Sequence, residues 1–331
     1  MKLGLVVDGH WGFIRELLSD WQIYYTTSIF SYHDIGLPYA QYRVNSWRRR
    51  QALSHFVNQT DVTFVEWAGP LTVAVSSLPV VRPIVVRLHS WELFEYAPNV
   101  EWDAISRVIL VSRAMNRRFA ELYPEQAIKT TVVNNGISID RFQPRWRTFS
   151  GNIGMLCNIT PIKRVYEAIL VLHELRKAGY QLNLRIGGTP RNSSEDQRYY
   201  ASVRHAIDVL SLHDHVSFHG WVEDVPLWLE DVDIFLSNSY WEGQQVALIE
   251  AMAAGCYCLA HFWDGAEEVL PPENLFATEA ELKAKLIEHC ERSETERRQL
   301  QEYSRTVARE KFDVEQTRRQ IRAVIDEAVA W

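Results

Sequence analysis

The sequence predicts an α/β protein built from two similar halves, each a parallel sheet with helices on both faces. Three observations lead there. Short apolar runs recur with the length and composition of strands covered on both sides. Amphipathic runs of helical length lie between them. At 331 residues, the chain is long for one core and comfortable for two domains of ordinary size.

In the first half the candidate strands are residues 3–7, 62–66, 84–88, 108–111 and 131–133, and the run 105–123 reads as amphipathic. The second half repeats the theme with candidate strands 153–156, 182–186, 216–218, 234–236 and 256–260. Crossover helices are expected over 165–178 and 195–210, and another over 246–254, ended by Gly255. Residues 144–152, polar and interrupted by Pro144 and Gly151, read as the hinge. The expected domains are therefore 1–148 and 149–312, followed by a last helix over 313–331 with alternating charge and aliphatic spacing.

Composition narrows the class. The 47% hydrophobic and 23% charged fractions are those of a soluble globular protein, and no stretch approaches the ~20 apolar residues of a membrane span. The opening strand stops at Asp8, short of a secretory apolar region of roughly 7 to 15 residues, so a cytoplasmic location is expected. Cys157, Cys256, Cys258 and Cys290 have no metal-ligand spacing and read as free thiols.

Charge is uneven. Residues 1–150 carry 16 Lys+Arg against 13 Asp+Glu, and the remainder 19 against 29. Arg48, Arg49 and Arg50, beside Trp47 and Tyr42, concentrate the positive side. Such a cluster could hold an anionic acceptor, make a peripheral contact with anionic lipid, or simply be a solvated helix face. Nothing points to a nucleic-acid partner.

The most informative stretch runs from Ser237 to Gly255, SNSYWEGQQVALIEAMAAG. It reads as a buried strand, a polar turn and a helix start, with Glu242 in the turn and Glu250 about two helical turns further on. The amides of Gly243, Gln244 and Gln245 would point out of the helix start, where free N–H groups and the helix dipole favour a phosphate. The two carboxylates would then accept hydroxyls on either side of it. Taken singly, each could equally be a solvated surface carboxylate.

This stretch resembles the E-x7-E signature, EGxGxxxxEAMAxG, of the retaining nucleotide-sugar glycosyltransferases of family 4. Both carboxylates, Gly243 and the EAMA run match, whereas Gln245 stands where the second glycine is expected. Other segments fall in the family's order. Residues 132–144, VVNNGISIDRFQP, resemble PNGxDxxxFxP with Asn134 for its proline. Residues 216–222, VSFHGWV, resemble the strand and turn that hold the donor base near Trp221, and residues 264–268, DGAEE, the closing glycine and glutamate turn. Residues 157–164, CNITPIKR, resemble GRLxxxKG. There Lys163 matches, Asn158 replaces the arginine and Arg164 the glycine. An asparagine donates a hydrogen bond but brings no positive charge to a phosphate.

The resemblance implies a GT-B fold, two Rossmann-like domains facing across a cleft, with the C-terminal helix returning to the first. It implies a retaining, metal-independent transfer of a sugar from a nucleotide-sugar donor, a UDP- or GDP-sugar first, to a hydroxyl of a glycan or lipid-linked acceptor. No cofactor is expected. Lys163 would neutralise the leaving diphosphate, with Arg164 and Asn158 beside it; Glu242 would hold the sugar and Glu250 the ribose. Gly187, in the turn Gly187-Gly188 after a strand, could bring backbone close to the nucleotide. In the first half, Gly9-His10-Trp11-Gly12 follows the opening strand, and Gly12 is its donor-side residue. His89, ending another strand, looks like the histidine that faces the reacting sugar. Of the tryptophans, among them Trp21, Trp47, Trp67, Trp102 and Trp146, only Trp11 and Trp91 flank these motifs, and they are the acceptor candidates. A non-catalytic nucleotide-sugar or glycan-binding homologue, or a GT-B-like epimerase or phosphorylase, are the alternatives.

Overall fold

A computed structural model describes residues 1–9, 11–36, 39, 41–79, 81–144 and 148–330, apart from the side chain of Gln41. His10, Trp146 and Trp331 lie outside the described residues, as does the middle of the expected hinge, 145–147. The chain forms two compact units: Met1–Asn135 together with the last helix, and Gly136–Asp313.

The first unit runs β1 (Lys2–Val7), α1 (Arg15–Tyr24), β2 (Thr26–Ile29), α2 (Gln41–Asn58), β3 (Val62–Glu66), α3 (Pro70–Ser76), β4 (Ile84–Leu88), α4 (Glu92–Glu95), β5 (Arg107–Leu110), α5 (Arg113–Leu122) and β6 (Thr130–Val132). Its sheet is parallel, in the order β2-β1-β3-β4-β5-β6. The run 105–123, read as one amphipathic segment, divides into β5 and α5. Ser112 makes the break: its hydroxyl accepts the Met115 amide and caps the helix. Strand β2 was not expected, because it is four residues of mixed exposure at the sheet edge, and its Thr-Thr-Ser stretch carries no apolar pattern.

The second unit runs β7 (Asn152–Leu156), α6 (Val165–Lys177), β8 (Asn183–Gly187), α7 (Ser194–Val209), β9 (Val216–Phe218), α8 (Val225–Leu229), β10 (Ile234–Ser237), α9 (Val246–Ala253), β11 (Tyr257–His261), α10 (Ala266–Val269), β12 (Leu275–Phe276), α11 (Glu279–Glu291) and α12 (Glu294–Phe312). Its sheet is parallel, in the order β12-β11-β10-β7-β8-β9. Gly255 ends α9 at φ 82°, the left-handed conformation expected of it. The two-residue edge strand β12 carries too little pattern to be read in advance.

Residues 136–144, read as part of the first domain, begin the second unit. Ile137, Ile139 and Phe142 are buried with Phe235, Leu248, Met252 and Phe312, so their apolar surface is satisfied there. The chain leaves this unit after Asp313, and α13 (Val314–Ala330) belongs to the first. Its Ile321, Val324, Ile325 and Ala328 pack with Leu3, Leu5, Trp21 and Val85. Arg322 pairs with Asp20 at the edge of that contact, and the Tyr25 hydroxyl donates to Asp326 at 2.9 Å.

Both sheet orders contain a place where successive connections run in opposite directions, which opens a crevice at the carboxyl ends of the strands. In the first unit this lies between β1 and β3, in the second between β7 and β10.

Candidate functional site

In the second unit the segments after β7 and after β10 meet at that crevice. Strand β7 ends at Leu156, and the chain passes through Cys157 and Asn158 into a 3-10 turn, Pro161–Lys163. From Ser237 at the end of β10, the buried Asn238 and Ser239 lead to Glu242. Lys163 Nζ donates to Glu242 Oε1 at 2.5 Å, and Ser239 Oγ donates to the same oxygen at 2.7 Å. Both charged side chains are less than a fifth exposed. The surroundings are dry enough that burial pushes the neighbouring Cys157 thiol up to about 12, with Lys163 and Glu242 acting on it in opposite directions. The pair expected to serve phosphate and sugar is thus side by side, although its residues are 79 positions apart in the chain.

Helix α9 opens next to this pair. Gln245 is its N-cap residue, and no side-chain hydrogen bond caps the start. Gly243, Gln244 and Gln245 are buried, and Glu250 lies half-buried on the helix. The Gln245 side-chain oxygen and the Thr160 hydroxyl are buried without a hydrogen-bond partner among the described residues. Buried polar atoms in that state are rare in folded proteins and suit a polar ligand.

Arg164 is placed differently from the reading that puts it beside the diphosphate. It adopts φ 51°, the left-handed conformation, just before α6, which accounts for glycine at this position of the family pattern. Its side chain is buried, ion-paired with Glu279, bonded to the Asn238 side chain and stacked 4.6 Å over Tyr240. Its charge is satisfied within the unit. Asn158 is exposed, which leaves Lys163 as the cation that faces Glu242. Gly187 ends β8, and Gly188 follows at φ 121°. A Cβ at Gly188 would lie 1.9 Å from the Cys157 carbonyl oxygen, so only glycine lets these two turns approach. Trp221 stands 74% exposed beyond Gly220.

The first unit has its own constellation at the β1/β3 crevice. Glu66 ends β3, and His89 follows β4. His89 Nε2 lies 2.9 Å from Glu66 Oε1, and the ring packs against both Phe13 (centroids 4.6 Å) and Trp67 (4.1 Å), which also touch each other. Trp67 has φ 73° and approaches Trp91 at 6.3 Å. Both residues of the Glu66–Arg87 pair are fully buried, 3.5 Å apart. Burial alone would raise the Glu66 carboxyl, but Arg87 and then His89 hold it below the usual range.

Trp11 and Asp8 line a cavity of about 1000 Å³ bounded by β1, β2, α2 and α3. Burial raises the Asp8 carboxyl despite its bonds from the Leu71 and Thr72 amides. In the arginine cluster, Arg49 is paired with Asp34 and Arg50 bonds Ser77. Trp91 is 44% exposed and does not line this cavity among the described residues. Gly12 is exposed, and a Cβ there would meet nothing within 4 Å. Glu66, Phe13 and Trp67 were not read from the sequence as site residues. The available signal was position: Glu66 ends and Trp67 follows β3, the strand next to β4, which His89 follows, so the three fall at the same carboxyl end of the sheet.

Two units with these sheets define the GT-B fold of glycosyltransferases. Residues 150–293, within the second unit, match the family described as Glycosyl transferases group 1. No curated protein matches the chain. Among solved structures, the chain is similar to Alr3699/HepE of Anabaena in complex with UDP-glucose, at 19% identity, TM-score 0.80, covering 99% of this chain and 100% of that one. It is similar to sucrose-phosphate synthase of Thermosynechococcus elongatus at 14% identity, TM-score 0.78, covering 100% and 99%. It is also similar to TarM of S. aureus, in complex with Fondaparinux, α-GlcNAc-glycerol and UDP, at 14% identity, TM-score 0.71, covering 84% of this chain and 59% of that one. No described helix is long and apolar enough to cross a membrane.

Proposed function

We propose that the protein is a retaining, metal-independent glycosyltransferase of the E-x7-E type, family 4, which moves a sugar from a nucleotide-sugar to a hydroxyl of a glycan or lipid-linked acceptor. The observation that carries this reading is the Lys163–Glu242 pair at the mouth of α9, inside the group 1 domain. A donor seated there would put its diphosphate against Lys163 and the amides of the helix start, where charge on the leaving group is stabilised. Glu242 would accept hydroxyls of the transferred sugar and Glu250 those of the ribose, with Gly187 and Trp221 on the nucleotide side. Glu242 acts here as a ligand and not as a covalent nucleophile; the leaving phosphate assists deprotonation of the acceptor on the same face.

UDP or UDP-glucose is bound in Alr3699/HepE and UDP in TarM, so UDP-sugars are the first donors to test. On the acceptor side, the cavity lined by Trp11 and Asp8 is the candidate site, and the chain would act in the cytoplasm or at a membrane surface. Lys163→Ala is expected to lower kcat by about 10²-fold while UDP binding is largely retained, since one preorganised donor to a developing charge contributes about that much. Transfer from UDP-sugars by wild type and by this variant, with UDP binding by calorimetry, checks it.

One observation favours a second reading, a non-catalytic nucleotide-sugar binder. With Arg164 committed to Glu279 and Asn158 uncharged, fewer cations are offered to a diphosphate than the family pattern supplies. Binding of UDP with no turnover in wild type would favour it.

A further inference from the structure

We propose that Glu66 is the positioning residue of His89, holding its imidazole as the Nε2–H tautomer so that Nδ1 presents its lone pair to a substrate hydroxyl. This rests on the reading of His89 as the histidine that meets the reacting sugar. Glu66 ends β3 opposite Arg87 in the register of β3 and β4, so its carboxylate sits beside the chain that carries His89. An ionised carboxylate can only accept hydrogen bonds, so the 2.9 Å contact requires Nε2 to donate. In the neutral ring the other nitrogen is then an acceptor.

Further contacts restrict the ring and the backbone that carries it. Phe13 and Trp67 pack against the imidazole with interplanar angles of 26° and 31°. The backbone amides of His89 and Ser90 both donate to the buried Glu92 carboxylate, at 3.0 and 2.8 Å. Behind Glu66, Arg87 is held by the Asn135 side chain.

Stability does not account for this arrangement. A fully buried ion pair is commonly no better than apolar packing, and this one leaves Glu66 Oε2 and Arg87 Nε without hydrogen-bond partners among the described residues. What the pair does achieve is a single imidazole geometry, in the way that outer carboxylates fix the tautomer of functional histidines.

The test begins with 15N–1H NMR of the wild-type protein labelled at histidine, the His89 signals being assigned by their loss in His89→Asn. The neutral ring is expected to carry its proton on Nε2; a proton on Nδ1 overturns the proposal, whatever the variants do. In kinetics, Glu66→Gln, whose amide can accept a proton from Nε2 or offer one, is expected to lower kcat about tenfold or more with KM within about twofold. Added to His89→Asn, it is expected to cost nothing further. An equal loss with and without His89 marks Glu66 as merely structural and sinks the proposal, as does a changed tautomer with unchanged kcat; both leave the reading of His89 standing. If His89→Ala itself turns over like wild type, the role of His89 fails first, and that of Glu66 with it. Should Glu66→Gln not fold, the wild-type tautomer and Glu66→Asp, expected to retain the Nε2–H form, still decide.

Discussion

Arg164 stands where the pattern that the sequence resembles has a glycine, and its side chain is committed to partners within its own unit. The backbone there still adopts the left-handed conformation that glycine occupies without strain, but the guanidinium turns inward to Glu279, Asn238 and Tyr240. Two opposed terms set its stability. Arg164→Gly relieves the left-handed conformation, by about 1 kcal/mol, but removes a buried side chain and leaves the Asn238 oxygen short of a donor. Arg164→Ala loses the same contacts without the relief. Both variants are expected to be destabilised, and Arg164→Ala to be the less stable of the two by about 1 kcal/mol, read from urea midpoints. At Lys163 the charge faces Glu242, and its removal leaves that carboxylate with the Ser239 hydroxyl as its remaining bond among the described residues, so a loss of stability is expected beside the loss of turnover. Motif order named Lys163, Glu242 and Glu250 as candidates, and the structure brings Lys163 and Glu242 into contact. The contacts of Glu66 and Trp67 with His89 were not legible, because they follow from which strand lies next to β4.

At the scale of elements, α11 carries a titration in its last turn. His289 stacks on Tyr257, with centroids 4.0 Å apart and planes 6° from parallel, and burial, with Arg292 and Arg297 nearby, pushes its pKa down to about 3. The unfolded chain has an ordinary histidine there, near 6.5. Between those values the unfolded state binds a proton that the folded state refuses. Stability is therefore full above about 6.5 and falls with acid, by up to about 1.4 kcal/mol per pH unit from this group. Urea unfolding between pH 7.5 and pH 5, a range set by the titration window, is expected to show that slope, and His289→Phe to flatten it. The elements themselves were legible in proportion to their pattern. The helices read over 165–178, 195–210 and 246–254 and the strands buried on both faces lie within a few residues of their expected bounds, whereas α11 and α12 were not read despite the caps at Thr278 and Ser293, and the edge strands β2 and β12 were not, since an edge strand needs no continuous apolar run.

At the scale of the whole molecule, each unit has its own core, and the last helix is shared out to the first. A ligand held by the second unit should therefore protect that unit selectively. Under the proposed function, UDP at about 100 times its dissociation constant stabilises the binding unit by ~2.7 kcal/mol. Hydrogen exchange with UDP is expected to slow most over 157–164 and 242–250, and uniform or absent slowing there would count against the donor site.

What the sequence by itself determined is local: the alternation of strand and helix, the positions of Lys163 and Glu242, and the glycine that ends α9, each written in neighbouring residues. The tertiary structure alone decided which distant residues share a sheet edge. It moved residues 136–144 to the second unit because Ile137, Ile139 and Phe142 find their apolar partners there. It turned Arg164 inward and set Glu66 behind His89, because parallel strands distant in sequence bring their carboxyl ends together, and no spacing along the chain records which strands will be neighbours.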